Sequence, residues 1–150
     1  MLVSMLANGK PLAAAVDELV AFLSDKPDAA ETAAALQKAR SARSVAELGQ
    51  GWVAEEALAI GVHCALKHTW DFKSGVLEAV NIDGDSDSTG AVTGNLLGAI
   101  NGEKAIPEKW RSGLCEYDIV SKIADDLASG IEEGPDGHAT PEWWEKYPGY

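Results

Sequence analysis

Apolar residues return every three or four positions along most of the chain, which is the spacing of one face of an α-helix. One such run follows Pro11, which suits a first helical turn, and stops at Lys26-Pro27. An amphipathic helix is predicted between them. A second, alanine-rich helix with a thin apolar stripe is predicted to run to about Arg43, opened by a capping arrangement of Asp28 and Glu31.

The same periodicity predicts further helices downstream. One runs from about Trp52 to Lys67, and the next follows a capping residue at Asp71 and carries apolar side chains to Val80. Another spans Tyr117 to Ser129 with its apolar face inward, and the aromatic tail after Gly130 is expected to be irregular. Since no segment shows the alternation of a strand, the chain is predicted to be an all-α, multi-helix domain.

A glycine-rich helix is predicted after residue 89. Gly90, Gly94 and Gly98 fall four residues apart among apolar neighbours. Each glycine costs a helix about 1 kcal/mol relative to alanine, so the pattern makes sense if another element packs closely against this smooth face.

An acidic loop, residues 81–88, separates this helix from the preceding one. Three carboxylates and three hydroxyls crowd into the seven residues from Asp83 to Thr89. Carboxylates at alternate positions of an extended loop point to one side, which is the arrangement of oxygen ligands that a hard cation needs. The alternative is that these side chains only cap the following helix and complement its dipole. Three acids exceed the needs of capping, and a divalent-cation site is predicted.

Two other motifs compete for the same residues. A calcium-binding EF-hand starting at Asp83 needs glycine at its sixth position and glutamate at its twelfth, where this chain has Ser88 and Gly94, and that interpretation fails. The run from Asp85 to Thr89 also fits the DxDxT nucleophile motif of haloacid-dehalogenase phosphatases, with Asp125-Asp126 imitating their later acidic pair. That nucleophile ends a buried strand, whereas a helical pattern precedes this loop. The phosphatase stays as an alternative.

The acidic loop and its surroundings resemble the C-terminal half of the ADP-ribosylglycohydrolase family. The resemblance is strongest from Gly49 to about Leu127. It is carried by these segments: Gly84–Ala99, Ile106-Pro107 and Trp110 after it, Gly51–Ala59 upstream, and Ile123–Leu127 downstream. It implies an all-helical bundle of the ADP-ribosylglycohydrolase type, with residues 1–150 forming a single domain that corresponds to the C-terminal part of the family fold.

The resemblance also implies an activity and a site. Members cleave the glycosidic bond that links ADP-ribose to a protein side chain or a small molecule, using two Mg²⁺ or Mn²⁺ ions. Carried over by position, it assigns Asp85, Asp87 and Ser88 as metal ligands, Thr89 as a residue supporting them, and Gly51 and Trp52 as substrate-binding residues. Asp83 stands where many relatives have a small residue, and it is expected to support the metal ligands as well. For Trp52, an anchor in the hydrophobic core is the alternative, and Asp83 could instead be simply solvated.

The family's other site residues are not recognisable in this chain: a Thr/Ser-Asp-Asp segment, a catalytic glutamate and a histidine-bearing helix, all from the N-terminal half. The chain alone is therefore expected to be incomplete or inactive, to bind Mg²⁺ weakly, and to self-associate or pair with a separate N-terminal fragment. The alternative is a non-enzymatic remnant that acts as an interaction domain.

Composition narrows the partners further. With 24 acidic and 12 basic residues the net charge is -12, which disfavours direct binding to nucleic acid. Two cysteines, Cys64 and Cys115, form no metal-ligand spacing, and a reducing cytoplasm is expected. The apolar start, Met1–Leu6, is too short to span a membrane. The three histidines share no helical face and are expected to be structural or solvated.

Overall fold

The computed structural model describes residues 1–130 and 138–147, which form two compact units, Met1–Pro107 and Glu108–Tyr150. The described residues are helical with no strand, and the predicted all-α class is confirmed. Among these residues, no helix combines the length and the apolar character needed to cross a bilayer.

The first unit contains six α-helices and two short 3₁₀ turns. Their bounds are α1 (Leu2–Ala7), α2 (Leu12–Ser24), α3 (Ala30–Ser41), α4 (Ala54–Lys67), α5 (Phe72–Val80) and α6 (Ser86–Asn101), with turns at Val45–Glu47 and Glu103–Ala105.

Of the two predicted helix caps, one is confirmed and one is wrong. Asp71 caps α5 as expected, because its carboxylate accepts the Ser74 N–H at 3.0 Å and the Ser74 hydroxyl at 2.7 Å. The capping role predicted for Asp28 is wrong. The residue that precedes α3 is Ala29, and no side chain caps this helix.

The core of this unit is built around α4, which packs against α3, α5 and α6. Most of α4 is buried on all sides, including Ile60, Val62 and Cys64. A helix enclosed in this way must be apolar around its whole circumference. The polar exception is His63, whose Nδ1 lies 3.0 Å from the Ala39 carbonyl oxygen of α3, in agreement with a structural role.

Close packing against α6 comes chiefly from glycines in its neighbours. A side chain at Gly61 of α4 would collide with Val92, and one at Gly75 of α5 would collide with Leu97. The bare backbones of α4 and α5 therefore let the larger side chains of α6 approach.

The three glycines of α6 differ in how closely neighbouring side chains approach them. A Cβ atom on Gly90 would lie 2.6 Å from Val80, so the predicted close neighbour exists there. A Cβ atom on Gly94 or Gly98 would have no neighbouring atom of the described residues within 4 Å. The prediction of a packed glycine face is right at the start of α6 and wrong along the rest of it.

The second unit contains α7 (Glu108–Ser112), α8 (Tyr117–Ser129) and α9 (Pro141–Lys146). The bounds predicted for α8 are confirmed, but no residue of this helix is buried, and Val120, Ile123 and Leu127 are exposed. The irregular tail is wrong at α9, which Thr140 caps. The rest of that tail, at 131–137 and 148–150, lies outside the described residues.

Candidate functional site

The acidic segment is divided between a short loop and the first turn of α6. The loop ends at Asp85, and the helix begins at Ser86, so Asp87 and Ser88 are helical and not part of an extended loop as predicted. Small polar and acidic residues favour a first helical turn, where free N–H groups and the positive end of the helix dipole lie. This preference shortens the loop.

The structure brings Asp85, Asp87 and Ser88 together. The pKa of Asp85 lies below its usual value, first because of hydrogen bonding with the side chain of Asp87 and then because of the Ser88 hydroxyl. The Asp87 carboxylate accepts the Ser88 N–H at 3.1 Å. The Ser88 N–H is a further and smaller cause of the lowered pKa of Asp85, as is expected for an aspartate that precedes a helix. Capping by the Ser88 N–H therefore accounts for only part of the lowered pKa, and the side chains of Asp87 and Ser88 account for more of it.

These donors suit a hard cation in chemistry and are too few to complete a site. Two carboxylates and a hydroxyl supply the oxygen ligands that Mg²⁺ or Mn²⁺ prefers. No cationic side chain in the described part of the chain contributes to the pKa of Asp85. Within residues 1–130 and 138–147, no group of three or more histidine, cysteine, aspartate or glutamate side chains could hold a metal ion. The segment fits part of a metal site.

Thr89 fixes the first turn of α6 from beneath. Its side chain is fully buried, and its hydroxyl lies 2.7 Å from the Ala79 carbonyl oxygen and 3.1 Å from that of Asp85. Ala79 belongs to the last turn of α5, where carbonyl groups lack helical partners. Thr89 thereby ties the end of α5 to the start of α6, beneath Asp85 and Asp87, which are called the acidic pair below.

Asp83 stands apart from that pair. It is exposed and, with Gln50 and Ile82, lines a shallow pocket of about 300 Å³. The hydrogen bonds that lower the pKa of Asp85 come from Asp87 and Ser88 and not from Asp83. Of the two interpretations given for this residue, the solvated one agrees better with its position.

A tight turn, Gly49–Gly51, packs against the acidic segment. The Asp85 N–H donates to the Gln50 carbonyl at 2.8 Å. Gly51 has φ +82°, and a Cβ there would lie 2.8 Å from Thr89. A residue with a side chain would be strained at this φ and would press on Thr89. The turn and the first turn of α6 therefore form one packed arrangement.

Glu56 holds this turn and was not predicted as a site residue. One carboxylate oxygen accepts the N–H groups of both Gln50 and Gly51, each at 3.0 Å. The signal that could have found it is its position. Glu56 is the third residue of α4, where a glutamate commonly reaches back to free N–H groups before the helix.

Comparison with known proteins identifies the family of the chain. The model of the family described as ADP-ribosylglycohydrolase matches residues 1–136. The chain belongs to the ADP-ribosylglycohydrolase family. No solved structure matches it significantly.

Two curated relatives share a short segment with this family member. The ADP-ribosylarginine hydrolase Tri1 of Serratia proteamaculans is 35% identical over 63 residues, which cover 42% of this chain and 17% of that protein. An uncharacterized protein of Archaeoglobus fulgidus is 41% identical over 59 residues, 38% of this chain and 18% of that protein. The match spans less than a fifth of either relative.

Family membership and geometry together remove the phosphatase alternative. Asp85 lies between two helices, α5 and α6, and no strand precedes it in the described residues. The acidic pair that was to complete the phosphatase motif lies in α8, where Asp126 accepts a hydrogen bond from Tyr147 and pairs with Lys146 at 2.6 Å. The DxDxT resemblance is therefore coincidental.

Trp52 is not an anchor of the core, because 69% of its surface is exposed. Gly51 beside it is buried against Thr89. The indole thus lies next to the turn that contacts the acidic segment, and its exposed face is accessible to a ligand. That Gly51 and Trp52 line a substrate cleft stays a prediction.

Cys64 is excluded as a nucleophile of this site. Burial in α4 raises the pKa of its thiol to about 12, with the charge of Glu78 adding to the effect. Reactive cysteines are thiolates near neutral pH, and this one stays protonated.

Proposed function

We propose that this chain carries part of the active site of a metal-dependent ADP-ribosyl hydrolase, in which Asp85, Asp87 and Ser88 hold a divalent cation. The proposal is supported by family membership and by one observation. The Asp85 carboxyl has another acid as its first hydrogen-bonding partner, followed by the hydroxyl and the N–H of Ser88, and no cationic side chain of the described residues contributes to its pKa. Two adjacent carboxyls share a hydrogen bond only while one of them keeps its proton, and a bound cation would allow both to ionise.

In the complete family site the cations are two Mg²⁺ or Mn²⁺ ions, which when bound supply orientation of the ribose, Lewis-acid stabilisation and an activated water. The chain's own residues would hold the cations and position the substrate. Asp85 and Asp87 provide negatively charged oxygen ligands, Thr89 fixes the helix turn that carries them, and Trp52 offers an exposed aromatic face to the nucleotide. The substrate would be an ADP-ribosylated protein or another ADP-ribose derivative.

The name of the Serratia relative makes ADP-ribosylated arginine the first substrate to test. The chain is incubated with an arginine-ADP-ribosylated protein and Mg²⁺, with and without an added N-terminal half from the family, and released ADP-ribose is measured. We expect release that depends on Mg²⁺ and is strongest when the added half is present.

The matched variants are Asp85→Asn and Asp25→Asn, which remove the same charge from the acidic pair and from an exposed position after α2. Asp85→Asn should abolish release, whereas Asp25→Asn should leave it unchanged. Release that is the same in Asp85→Asn and in the unaltered chain would contradict the proposal. So would the absence of release under every combination, which would favour the interaction-domain alternative.

Self-association, or pairing with a separate N-terminal fragment, stays a prediction of the sequence. The exposed apolar side chains of α8 in the second unit agree with an interaction role. Light scattering across a range of concentrations tests it, and a monomer at every concentration would contradict self-association.

A further inference from the structure

We infer that Glu56 is a positioning residue of the proposed metal site, which fixes the backbone of Asp85 through the turn Gly49–Gly51. The inference rests on the proposed function, because it concerns the same cation site. Glu56 itself is separated from the acidic pair by the turn, so its effect on the cation is indirect.

The first step is the bond between Glu56 and the turn. A single oxygen, Oε2, accepts the N–H groups of Gln50 and Gly51 at 3.0 Å each. Hydrogen bonds to an ionised carboxylate are stronger than those between neutral groups. Two successive N–H groups that point at one oxygen fix the peptide planes of the turn.

The second step is the lack of space around the carboxylate. A side chain on Gly49 would collide with the carboxyl group of Glu56, and Gly49 has φ +109°, which favours glycine. The backbone therefore closes directly over the carboxylate, and Glu56 has little freedom to adopt another position.

The third step connects the turn to the acidic segment. The Gln50 carbonyl accepts the Asp85 N–H at 2.8 Å, and a side chain on Gly84 would collide with that same carbonyl oxygen. The peptide group between Gln50 and Gly51 thus donates its N–H to Glu56 and, through its carbonyl, accepts the N–H of Asp85. A displacement of the turn must displace the backbone that carries the Asp85 carboxylate.

The effect of Glu56 on cation binding depends on the charge and the length of its side chain. In Glu56→Gln the amide keeps the size of the side chain, but a neutral oxygen holds the two N–H groups more weakly. Residues that orient metal ligands typically change metal affinity by about ten- to a hundredfold when they are altered. We expect Glu56→Gln to weaken Mn²⁺ binding by about tenfold, which is the low end of that range.

The experiment measures two quantities on the full chain: Mn²⁺ affinity by electron paramagnetic resonance, and amide hydrogen exchange without metal. Glu56→Gln is compared with Glu55→Gln, a neighbour on the same helix turn whose side chain does not hold the turn. Glu56→Gln should speed exchange at Gln50, Gly51 and Asp85 and weaken Mn²⁺ binding. Glu55→Gln should change neither.

A second variant separates positioning from general stability. Gly49→Ala pushes the Glu56 carboxylate away from the turn and should weaken Mn²⁺ binding as Glu56→Gln does. Gly49→Ala also strains the backbone at φ +109°, so the double variant should lose about as much as Gly49→Ala alone. Additive losses in the double variant would overturn the positioning role.

The two proposals fail in different ways. If the unaltered chain binds Mn²⁺ and Glu56→Gln binds it equally well, the positioning role is wrong and the proposed function stands. If the unaltered chain does not bind Mn²⁺ at all, the proposed function is contradicted and the positioning role falls with it.

Discussion

Two acidic side chains in the first unit, Glu78 and Asp85, have hydrogen-bonding partners of different charge. Glu78 of α5 is bonded to cationic or cationisable partners from the end of α4, with the Lys67 ammonium at 2.7 Å and the His68 Nε2 at 2.5 Å. Asp85 instead has the carboxyl of Asp87 and the hydroxyl and N–H of Ser88 as its hydrogen-bonding partners. One acid is neutralised within the fold, and the other is placed beside a second acid.

Glu78 and the acidic pair therefore differ in the charge of the groups that hold them. Burial raises the pKa of Glu78, but the hydrogen bonds from Lys67 and His68 outweigh it, and the pKa lies below its usual value. That acid joins α4 to α5. The acidic pair is held by backbone and hydroxyl contacts through Thr89 and the turn Gly49–Gly51, and no cationic side chain of the described residues contributes to the pKa of Asp85.

The largest expected effect concerns metal affinity. Asp85→Asn removes a charged oxygen ligand and should weaken Mn²⁺ or Mg²⁺ binding by at least about tenfold. Even the substitution of residues that only orient metal ligands typically lowers metal affinity by that factor. Calorimetric titration measures it. Asp25→Asn is the control for the loss of one charge, and Glu78→Gln should also leave affinity unchanged. Equal weakening in all three variants would show that only net charge matters.

The next effect concerns how the acidic pair is held. Thr89→Val leaves the Ala79 carbonyl at the end of α5 without its buried partner and should lower the free energy of unfolding by about 1–3 kcal/mol. The matched control is Thr93→Val. The Thr93 hydroxyl bonds to the Thr89 carbonyl one turn earlier in the same helix, and a carbonyl at the start of a helix also accepts a backbone N–H of that helix. Its loss should cost clearly less. Equal losses in urea unfolding would refute this account of Thr89.

A smaller effect is expected from pH at Glu78. Because the pKa of Glu78 is lowered in the folded state, its contribution to stability is present above its unfolded pKa of about 4.3 and is lost as the pH falls through the folded value. Glu78→Gln should be less stable by about 0.2–1 kcal/mol near pH 6. This gap should close in more acidic solution. Urea unfolding of both proteins across the range tests the sign, and a gap that widens on acidification would be incompatible with it.

The smallest effect is screening by salt. Half of the Lys67 side chain is exposed, so its attraction to Glu78 is partly screened by dissolved ions. The loss of stability in Lys67→Met, which keeps the aliphatic stem, should shrink by a few tenths of a kcal/mol, roughly, at high NaCl concentration. A loss that is independent of salt would indicate that packing, not charge, makes the contact.

Much of the fold followed from periodicity, and the failures have a common cause. The helices α2, α4, α5 and α8 lie within about two residues of their predicted bounds. Periodicity identifies an apolar face but does not say what covers it, and for this reason the inward face predicted for α8 is wrong. The closest approaches to α6 depend on Gly61 and Gly75, which lie in other helices. The spacing of glycines within α6 could not reveal them.

The site was predictable where its residues are adjacent in sequence. Asp85, Asp87 and Ser88 are brought together by one helix start, and a local pattern was enough to group them. Glu56 was missed because its partners are backbone N–H groups of a preceding turn. Backbone partners leave no trace in side-chain composition, and only its third position in α4 pointed to them.

The central claim is that the acidic pair, and not another group of acids, receives a divalent cation. Substoichiometric Mn²⁺ added to ¹⁵N-labelled chain broadens the NMR signals of nearby amides. We predict that the amides from Gly84 to Thr89 broaden first, and that Asp85→Asn removes this selectivity. Broadening that begins around Glu78, or that spreads evenly over the chain, would contradict the account.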